Sequence, residues 1–416
     1  MERGRYWGWL VGGVLLGLVG GWFYAIRHPG SRDLYDLAYG FGAYIRELAT
    51  HGAYRAVFEN HPTYGPIEFR TSRMPLIPVL GAFASLFGRE VVWLYLIKNA
   101  AALALLAWAL AAARESSAFR ARYVLPLVVF LLVPTHAAVL FAVDFEEGYV
   151  LPLLCASLLL ATLPADRMTR GRVVGLALAL AAMVLLKSSL LLVAGVLAVA
   201  ALLRPRAAGV SRAMPMLGLV AASVAWGWFG FLASGRWAIG GDASSGNGPN
   251  FYKANNPHTL DYYPLRHLDL LDERGLTKIQ ASYKDEWDLH DTTMREGWEF
   301  RRDHPEAVGE MNRRKAFSMF LRTTPAYFME PVPERLGQDY RLWVARLAQW
   351  LGLAVVVWGL LPRRSAMARR VALATLGVYA AYLVPYVLGF VYERHLTPLI
   401  ATSLFAAMLI WSNPRD

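Results

Sequence analysis

Residues Val173 to Leu203 read VVGLALALAAMVLLKSSLLLVAGVLAVAALL, and Arg204, Arg206 and Arg212 follow. These 31 positions are too many for one crossing of a bilayer, which takes about 20 apolar residues. The run has one interruption, Lys187-Ser188-Ser189. If it crossed once, the arginines after it would lie on the opposite side from the other basic loops. Two short spans turning at Lys187 keep all the basic loops on one side, and the long lysine stem lets its ammonium reach the interface.

The same charge rule orders the rest of the chain. Apolar runs cover roughly 6–26, 74–87, 90–113, 122–143, 148–164, 173–203, 213–234, 341–361, 371–391 and 396–411. Arg114, Arg120 and Arg122 occupy one intervening loop, and Arg167, Arg170 and Arg172 the next. Arg363, Arg364, Arg369 and Arg370 occupy a later one, and Arg3 and Arg5 precede the first run. All belong on the cytoplasmic side. The run 74–87 is short for a span, and a crossing there would invert every later loop. It is therefore expected to lie in the outer interface.

Composition agrees with a membrane protein. Of 416 residues, 56% are hydrophobic and 18% charged, against about 25% charged in a soluble domain. The net charge of +11 is a topology signal, so no nucleic-acid partner is expected. The one cysteine, Cys155, lies in an apolar run and excludes an intramolecular disulfide. The first run lacks a small-residue cleavage site and reads as an anchor. The fold class expected is an all-α polytopic membrane protein of about ten transmembrane helices, both termini cytoplasmic. It divides into 1–234, an N-terminal transmembrane module with a first outer loop over 27–90; 235–340, a small, mainly helical extracytoplasmic region; and 341–416, the C-terminal transmembrane helices. Helical patterns are expected near 278–300 and 305–322.

The polar residues outside the basic loops then collect on one face. Asp33 and Asp36 head an amphipathic pattern, Leu34, Leu37, Phe41, Ile45 and Leu48, suited to an interfacial helix. Acids in a first turn complement the helix dipole for up to about 1 kcal/mol each. A partly desolvated carboxylate there also suits a general base. Arg70 and Arg73 either snorkel to lipid phosphates or clamp a phosphate bidentately. Arg394 and His395 share that face. Glu146 and Glu147, costly against lipid, are expected to face a cavity, where they could bind acceptor or a metal or merely cap a helix; the assignment made is acceptor or sugar. Trp237, Phe251, Tyr252, Tyr262 and Tyr263 suit either an interfacial aromatic belt or stacking on sugars. No zinc-type spacing, phosphate-cradling loop or nucleophilic serine motif occurs. No metal ligand is assigned, although a divalent metal is compatible.

The order of these features resembles the membrane-integral glycosyltransferases of the GT-C class, which include protein O-mannosyltransferases and the bacterial aminoarabinose transferase. The resemblance runs over nearly the whole chain in weak motifs. Arg46-Glu47-Leu48 and Gly52-Ala53-Tyr54 follow the acids. Arg73-Met74-Pro75-Leu76 through Phe87-Gly88 is similar to a basic-Pro-Pro-Leu segment ending in Phe-Gly. Leu186-Lys187-Ser188-Ser189 stands where the family has Leu-Thr-Arg-Pro. Gly246 to Pro257 resembles a Gly-Asn-Asn-Pro stretch, and Arg302 to Pro325 the helix after it. Tyr392-Glu393-Arg394-His395-Leu396-Thr397-Pro398 resembles an Arg-Tyr-Leu-x-Pro signature. Met74 replaces a proline and Lys187-Ser188 an Arg-Pro, and the acids are separated by Leu34-Tyr35 rather than adjacent.

The resemblance implies a GT-C-like bundle in a bacterial inner membrane with its active site facing the periplasm. It implies a polyprenyl-phosphate-linked sugar donor and a cell-envelope glycan, lipid or protein acceptor. Asp36, or Asp33, would be the base of an inverting transfer; Asp36 fits the spacing to Arg46-Glu47-Leu48 better. Arg73 would hold the lipid phosphate, with Arg70, Lys187, Arg394 and His395 as further candidates. Asn255 and Asn256 would join Glu146 and Glu147 in contacting acceptor or sugar. Two other readings fit the same residues: a flippase or transporter of lipid-linked sugars, and a polymerase or ligase with a diphosphate-linked donor. Against a transporter, charges within the spans are scarce, Lys98 being the clearest, and no half-and-half repeat occurs.

Overall fold

The computed structural model describes residues 41–61, 63–87, 94, 146–204, 211–263, 268–321, 340–390 and 392–412. The runs 6–26, 90–113 and 122–143 lie essentially outside the described residues, as do Asp33 and Asp36. The first described elements are α1 (Phe41–His51), a hairpin of β1 (Ala56–His61) and β2 (Gly65–Phe69), and α2 (Leu76–Ser85). Four apolar helices follow: α3 (Glu147–Thr162), α4 (Arg170–Leu186), α5 (Leu191–Leu202) and α6 (Met214–Ser234). The polar middle of the chain folds into α7 (Asn247–Lys253), α8 (Thr259–Tyr262), α9 (Asp269–Glu273), α10 (Glu286–Asp303) and α11 (Pro305–Phe320). The chain ends in α12 (Tyr340–Trp358), α13 (Ala366–Leu388) and α14 (Glu393–Ser412).

The long apolar run does break at Lys187. Helix α4 starts on a Thr169 cap, whose hydroxyl accepts from the Arg172 amide, and stops where Lys187 turns to extended backbone (φ −155°, ψ 124°). A 3-10 turn over Ser188–Leu190 leads into α5. Helices α6 and α13 are long and apolar enough to cross a membrane. Helices α2, α3, α12 and α14 and the stretch Ser188–Leu202 contribute shorter apolar segments. Helix α6 ends at Gly235, whose φ of 75° only glycine adopts without strain.

One core joins α3, α4, α5, α12, α13 and α14. Small residues set the closest helix crossings. A Cβ on Gly218 of α6 would sit 2.9 Å from the Ala177 carbonyl oxygen of α4, and one on Gly352 of α12 would sit 2.6 Å from Ser403 Oγ of α14. Two satellite clusters tie the polar helices on. Tyr44, Ile67, Phe69 and Leu289 pack the hairpin against α1 and α10. Met74, Trp226, Ala243 and Trp287 join the Arg73 segment, the end of α6 and α10.

The basic loops and the acidic turns fall at opposite ends of the apolar helices. Arg204, after α5, donates to the Leu160 carbonyl at the end of α3. Lys187, at the end of α4, reaches Glu147 at the start of α3. The segregation expected from charge counting is thus present between these helices.

The all-α expectation needs correcting for the hairpin. Ala56 pairs with Phe69, Val57 with Glu68, Phe58 with Ile67 and His61 with Gly65. Ile67 and Phe69 point inward and Pro66 and Glu68 outward, the two-residue alternation of a half-buried strand. Gly65 supplies the positive φ (70°) at the end of the turn.

Candidate functional site

At the acidic end of the apolar helices lies a cavity of about 540 Å³. Arg73, Glu146, Glu147, Lys187 and His395, which come from four distant parts of the sequence, all line it. Its apolar lining includes Leu191 and Leu192 of α5 and Val384 and Leu388 of α13. Asn247, Asn250, Phe251, Lys253, Asp269 and Met294 of α7, α9 and α10 line it as well.

Lys187 is held at the break after α4 by two carboxylates. Its Nζ lies 2.7 Å from Glu146 Oε2 and 2.7 Å from Glu147 Oε1. Burial opposes a charged lysine here, and the two glutamates outweigh it, so the ammonium is retained. His395 Nε2 lies 3.6 Å from the same Glu147 oxygen. Its Nδ1 accepts from the Tyr392 amide at 3.2 Å, so a neutral His395 carries its proton on Nε2 and directs it at Glu147. Tyr386 and Tyr392 stack on the imidazole at ring-centre distances of 4.9 and 5.5 Å. The Tyr392 hydroxyl in turn accepts from the Leu268 amide, linking the start of α14 to the polar helices.

Arg73 sits in a short arch whose backbone is tied from several sides. Its carbonyl accepts from the Tyr54 hydroxyl at 2.9 Å, and its guanidinium lies 5.3 Å from the Phe41 ring centre. Among the described residues, no carboxylate pairs with it. The arch hangs on Glu286, the first residue of α10, which is buried. Glu286 Oε2 accepts from the Arg70 and Thr71 amides at 3.1 and 3.0 Å and from Ser245 Oγ at 2.6 Å. Its Oε1 accepts from Thr71 Oγ1 at 3.0 Å. Burial raises the Glu286 carboxyl above the usual range, against the lowering by its hydrogen bonds. Ser244 Oγ donates to the Ser72 carbonyl at 2.7 Å, closing the arch onto the turn before α7.

The remaining expected site residues are placed differently. Arg70 is half exposed and outside the cavity wall; it pairs with Glu68 at 2.7 Å and donates to the Ala233 carbonyl. That makes it a tie between the hairpin and the end of α6. Asn255 and Asn256 are buried behind the wall with their amides committed to protein partners. Asn255 Nδ2 donates to the Phe251 and Leu388 carbonyls, and its Oδ1 accepts from Arg301. Asn256 donates to the Tyr252 and Lys253 carbonyls and accepts from the His258 amide. They close the end of α7 and the last carbonyl of α13. Arg394 lies in the first turn of α14, its side chain outside the description. Of the aromatics, Phe251 lines the cavity and Tyr262 and Tyr263 are core residues. Trp237 is exposed and clusters with Trp228 and Phe231 at the end of α6, the arrangement of an interfacial belt.

Sequence reasoning missed the pair Lys253 and Asp269. Lys253 Nζ bonds Asp269 Oδ1 at 2.7 Å and also contacts Asp272 Oδ2. The available signal was the spacing of Asp269 and Asp272, three apart on one short helical turn. Among the described residues, no group of three His, Cys, Asp or Glu side chains is disposed to hold a metal ion.

No family model matches the chain, and no curated protein matches it. Two solved structures are similar to it, both of ArnT from Cupriavidus metallidurans. The one bound to undecaprenyl phosphate has a TM-score of 0.39 at 16% identity and covers 95% of this chain and 77% of that one. The apo state has a TM-score of 0.38 at 16% identity, covering 97% and 77%.

Proposed function

We propose that this chain is a membrane-embedded glycosyltransferase that moves a sugar from a polyprenyl-phosphate donor to an acceptor at the outer face of a bacterial inner membrane. The observation that carries this reading is the cavity itself. It joins an arginine and a lysine, carboxylates and an apolar wall at one end of a bundle of apolar helices. A phosphate on a prenyl chain has the matching parts. Its charged head suits Arg73, with Lys187 beside it, and its chain suits Leu191, Leu192 and Val384. With the described basic loops, those at Arg167 to Arg172, Arg204 and Arg363 to Arg370, at the other end, the positive-inside rule supports an extracytoplasmic cavity. The region 235–340 then roofs the site between two sets of spans.

The chemistry follows from these groups. A carboxylate takes the proton of the acceptor hydroxyl or amine as its oxygen or nitrogen bonds to the anomeric carbon. The bond from that carbon to the phosphate oxygen breaks, and its electron pair leaves with the lipid phosphate. Attack from the face opposite the leaving group inverts the centre. Arg73 holds the phosphate as its charge grows, the kind of electrostatic assistance that is usually the largest catalytic contribution. Asp36, or Asp33, is our assignment for the base. Glu147, held by Lys187 and His395, orients Lys187 instead.

The test is transfer by the purified protein in detergent, with radiolabelled sugar on polyprenyl monophosphate against the same sugar on polyprenyl diphosphate, and an envelope extract as acceptor. Label leaving only the monophosphate donor, with free polyprenyl phosphate accumulating, supports the reading. Use of the diphosphate donor alone would make the chain a polymerase or ligase. Release from neither donor, with lipid-linked sugar moved intact between leaflets of a vesicle, would make it a flippase.

A further inference from the structure

We infer that Asn247, Asn250 and Asp269, with Lys253 fixing Asp269, form the subsite that selects the donor sugar, and that this sugar is neutral and rich in hydroxyls. The inference rests on the lipid-phosphate reading above and adds what lies beyond the phosphate. On α7, Asn247, Asn250 and Lys253 recur at intervals of three and so share one helix face. That face lines the cavity, with Phe251 beside it. Asp269 enters from α9, 24% exposed, with one oxygen 2.7 Å from Lys253 Nζ. The amide of Asn250 is exposed and has no partner among the described residues.

The lysine does not stand as a free cation for a phosphate. Lys253 is only 5% exposed and is shared between Asp269 and Asp272. Asp272 is itself anchored by Thr277 Oγ1 at 2.6 Å and by the Tyr64 hydroxyl at 3.4 Å, while Thr63 Oγ1 bonds its carbonyl at 2.6 Å. Lys253 is thus a rigid post that presents Asp269 to the cavity. The carboxylate accepts from hydroxyls and the two carboxamides donate to them through their N–H groups, which together is what a sugar ring requires. A uronate would bring a second negative charge against Asp269, so a neutral sugar fits better.

Position supports the donor sugar rather than the prenyl chain. The leucines and the valine of the lining belong to α5 and α13, whereas these polar groups belong to α7 and α9. The polar wall also adjoins the proposed phosphate position: Asn247 Oδ1 lies 3.4 Å from Ser188 Oγ, next to Lys187. A sugar one bond away from a phosphate at Arg73 and Lys187 would meet this wall.

The experiment compares binding of undecaprenyl phosphate with binding of undecaprenyl-phosphate-linked glucose, galactose, mannose, arabinose and glucuronate, using wild type, Asp269→Asn, Asn250→Ala and Arg73→Ala in detergent. Wild type is expected to bind at least one neutral glycolipid about tenfold or more tighter than undecaprenyl phosphate, as hydrogen bonds to a charged group allow, and to gain nothing from glucuronate. Asp269→Asn and Asn250→Ala should lose that gain while binding undecaprenyl phosphate within about twofold of wild type, a split that misfolding would not produce. Arg73→Ala should weaken every lipid. The subsite is overturned if both roof variants keep the gain, or if wild type binds undecaprenyl phosphate but prefers no neutral sugar. It is equally overturned if the roof variants keep donor affinity and raise only the KM for acceptor. Failure of wild type to bind undecaprenyl phosphate at all would instead sink the lipid-phosphate reading itself.

Discussion

Replacing Lys187 by methionine removes the cation that both Glu146 and Glu147 face at 2.7 Å while preserving most of the stem volume. Glu147 is only 2% exposed, so water replaces the ammonium poorly. Breaking a buried pair from one side costs about 3–5 kcal/mol, because the other charge is left uncompensated. With 416 residues at about 2.1 cal/mol/K each, the unfolding entropy is roughly 0.9 kcal/mol/K. The melting temperature of Lys187→Met should therefore fall by about 3–6 °C in a thermal scan in detergent. Adding Glu147→Gln should recover part of that loss, since a neutral amide in place of the carboxylate removes half of the orphaned charge. Binding of undecaprenyl phosphate should weaken in both variants. A Lys187→Met protein that melts with wild type, or a double variant no better than the single, would refute the idea that the two glutamates depend on this lysine.

Glu286→Gln keeps the shape but turns an amide toward donors that need an acceptor, and should cost about 2–4 kcal/mol and raise hydrogen exchange at the Arg70 and Thr71 amides; unchanged exchange there would remove Glu286 from the support of Arg73. Burial and nearby Arg301 pull Lys315 down to about 7, below the usual lysine value, while its Nζ faces the Ala254, Val387 and Leu388 carbonyls. The unfolded chain then binds more protons than the folded one above pH 7, so stability rises from there toward the usual lysine range and is lost as pH falls back to about 7. Lys315→Met should lack up to about 1.4 kcal/mol per pH unit of this rise in melting scans from pH 7.5 to 9.5, and parallel wild-type and variant curves would contradict it. Asp36→Asn should abolish transfer with folding and donor binding intact; activity lost only in Asp33→Asn would move the base three residues back, and activity kept in both would end the general-base assignment.

What could be read from the sequence was what obeys a one-dimensional rule. The break at Lys187 follows from span length and loop charge, and both are local. So is the stop of α6 at Gly235, and so are the polar helices α10 and α11, near the expected 278–300 and 305–322. Charge segregation brought Glu146, Glu147, Lys187 and His395 to one end before any coordinates, because an ionisable group in a span must find an interface or a partner. The rule could not say that Lys187 would be neutralised by those glutamates, since pairing depends on which helix ends meet. Asn255 and Asn256 take protein partners because a buried polar residue must be satisfied, and the nearest unsatisfied groups were the ends of α7 and α13. Arg70 and Arg73 are three apart, yet the turn after β2 sends only one to the cavity. Lys253 and Asp269 are separated by 16 residues and meet only through the fold of the loop between them. The hairpin was missed because its strands were read as part of a polar surface loop.

The position at which a lipid phosphate binds is the most direct test of the proposed function. Undecaprenyl phosphate added to the purified protein in nanodiscs can be located by cryo-electron microscopy, with Arg73→Ala as the control. The phosphate should lie within about 4 Å of the Arg73 guanidinium and next to Lys187, the reach of a charge-assisted hydrogen bond, with its chain leaving along Leu191, Leu192 and Val384. It should be absent from that position in Arg73→Ala. A phosphate bound instead at the opposite end of the bundle, among Arg204, Arg212 and Arg370, would contradict the account.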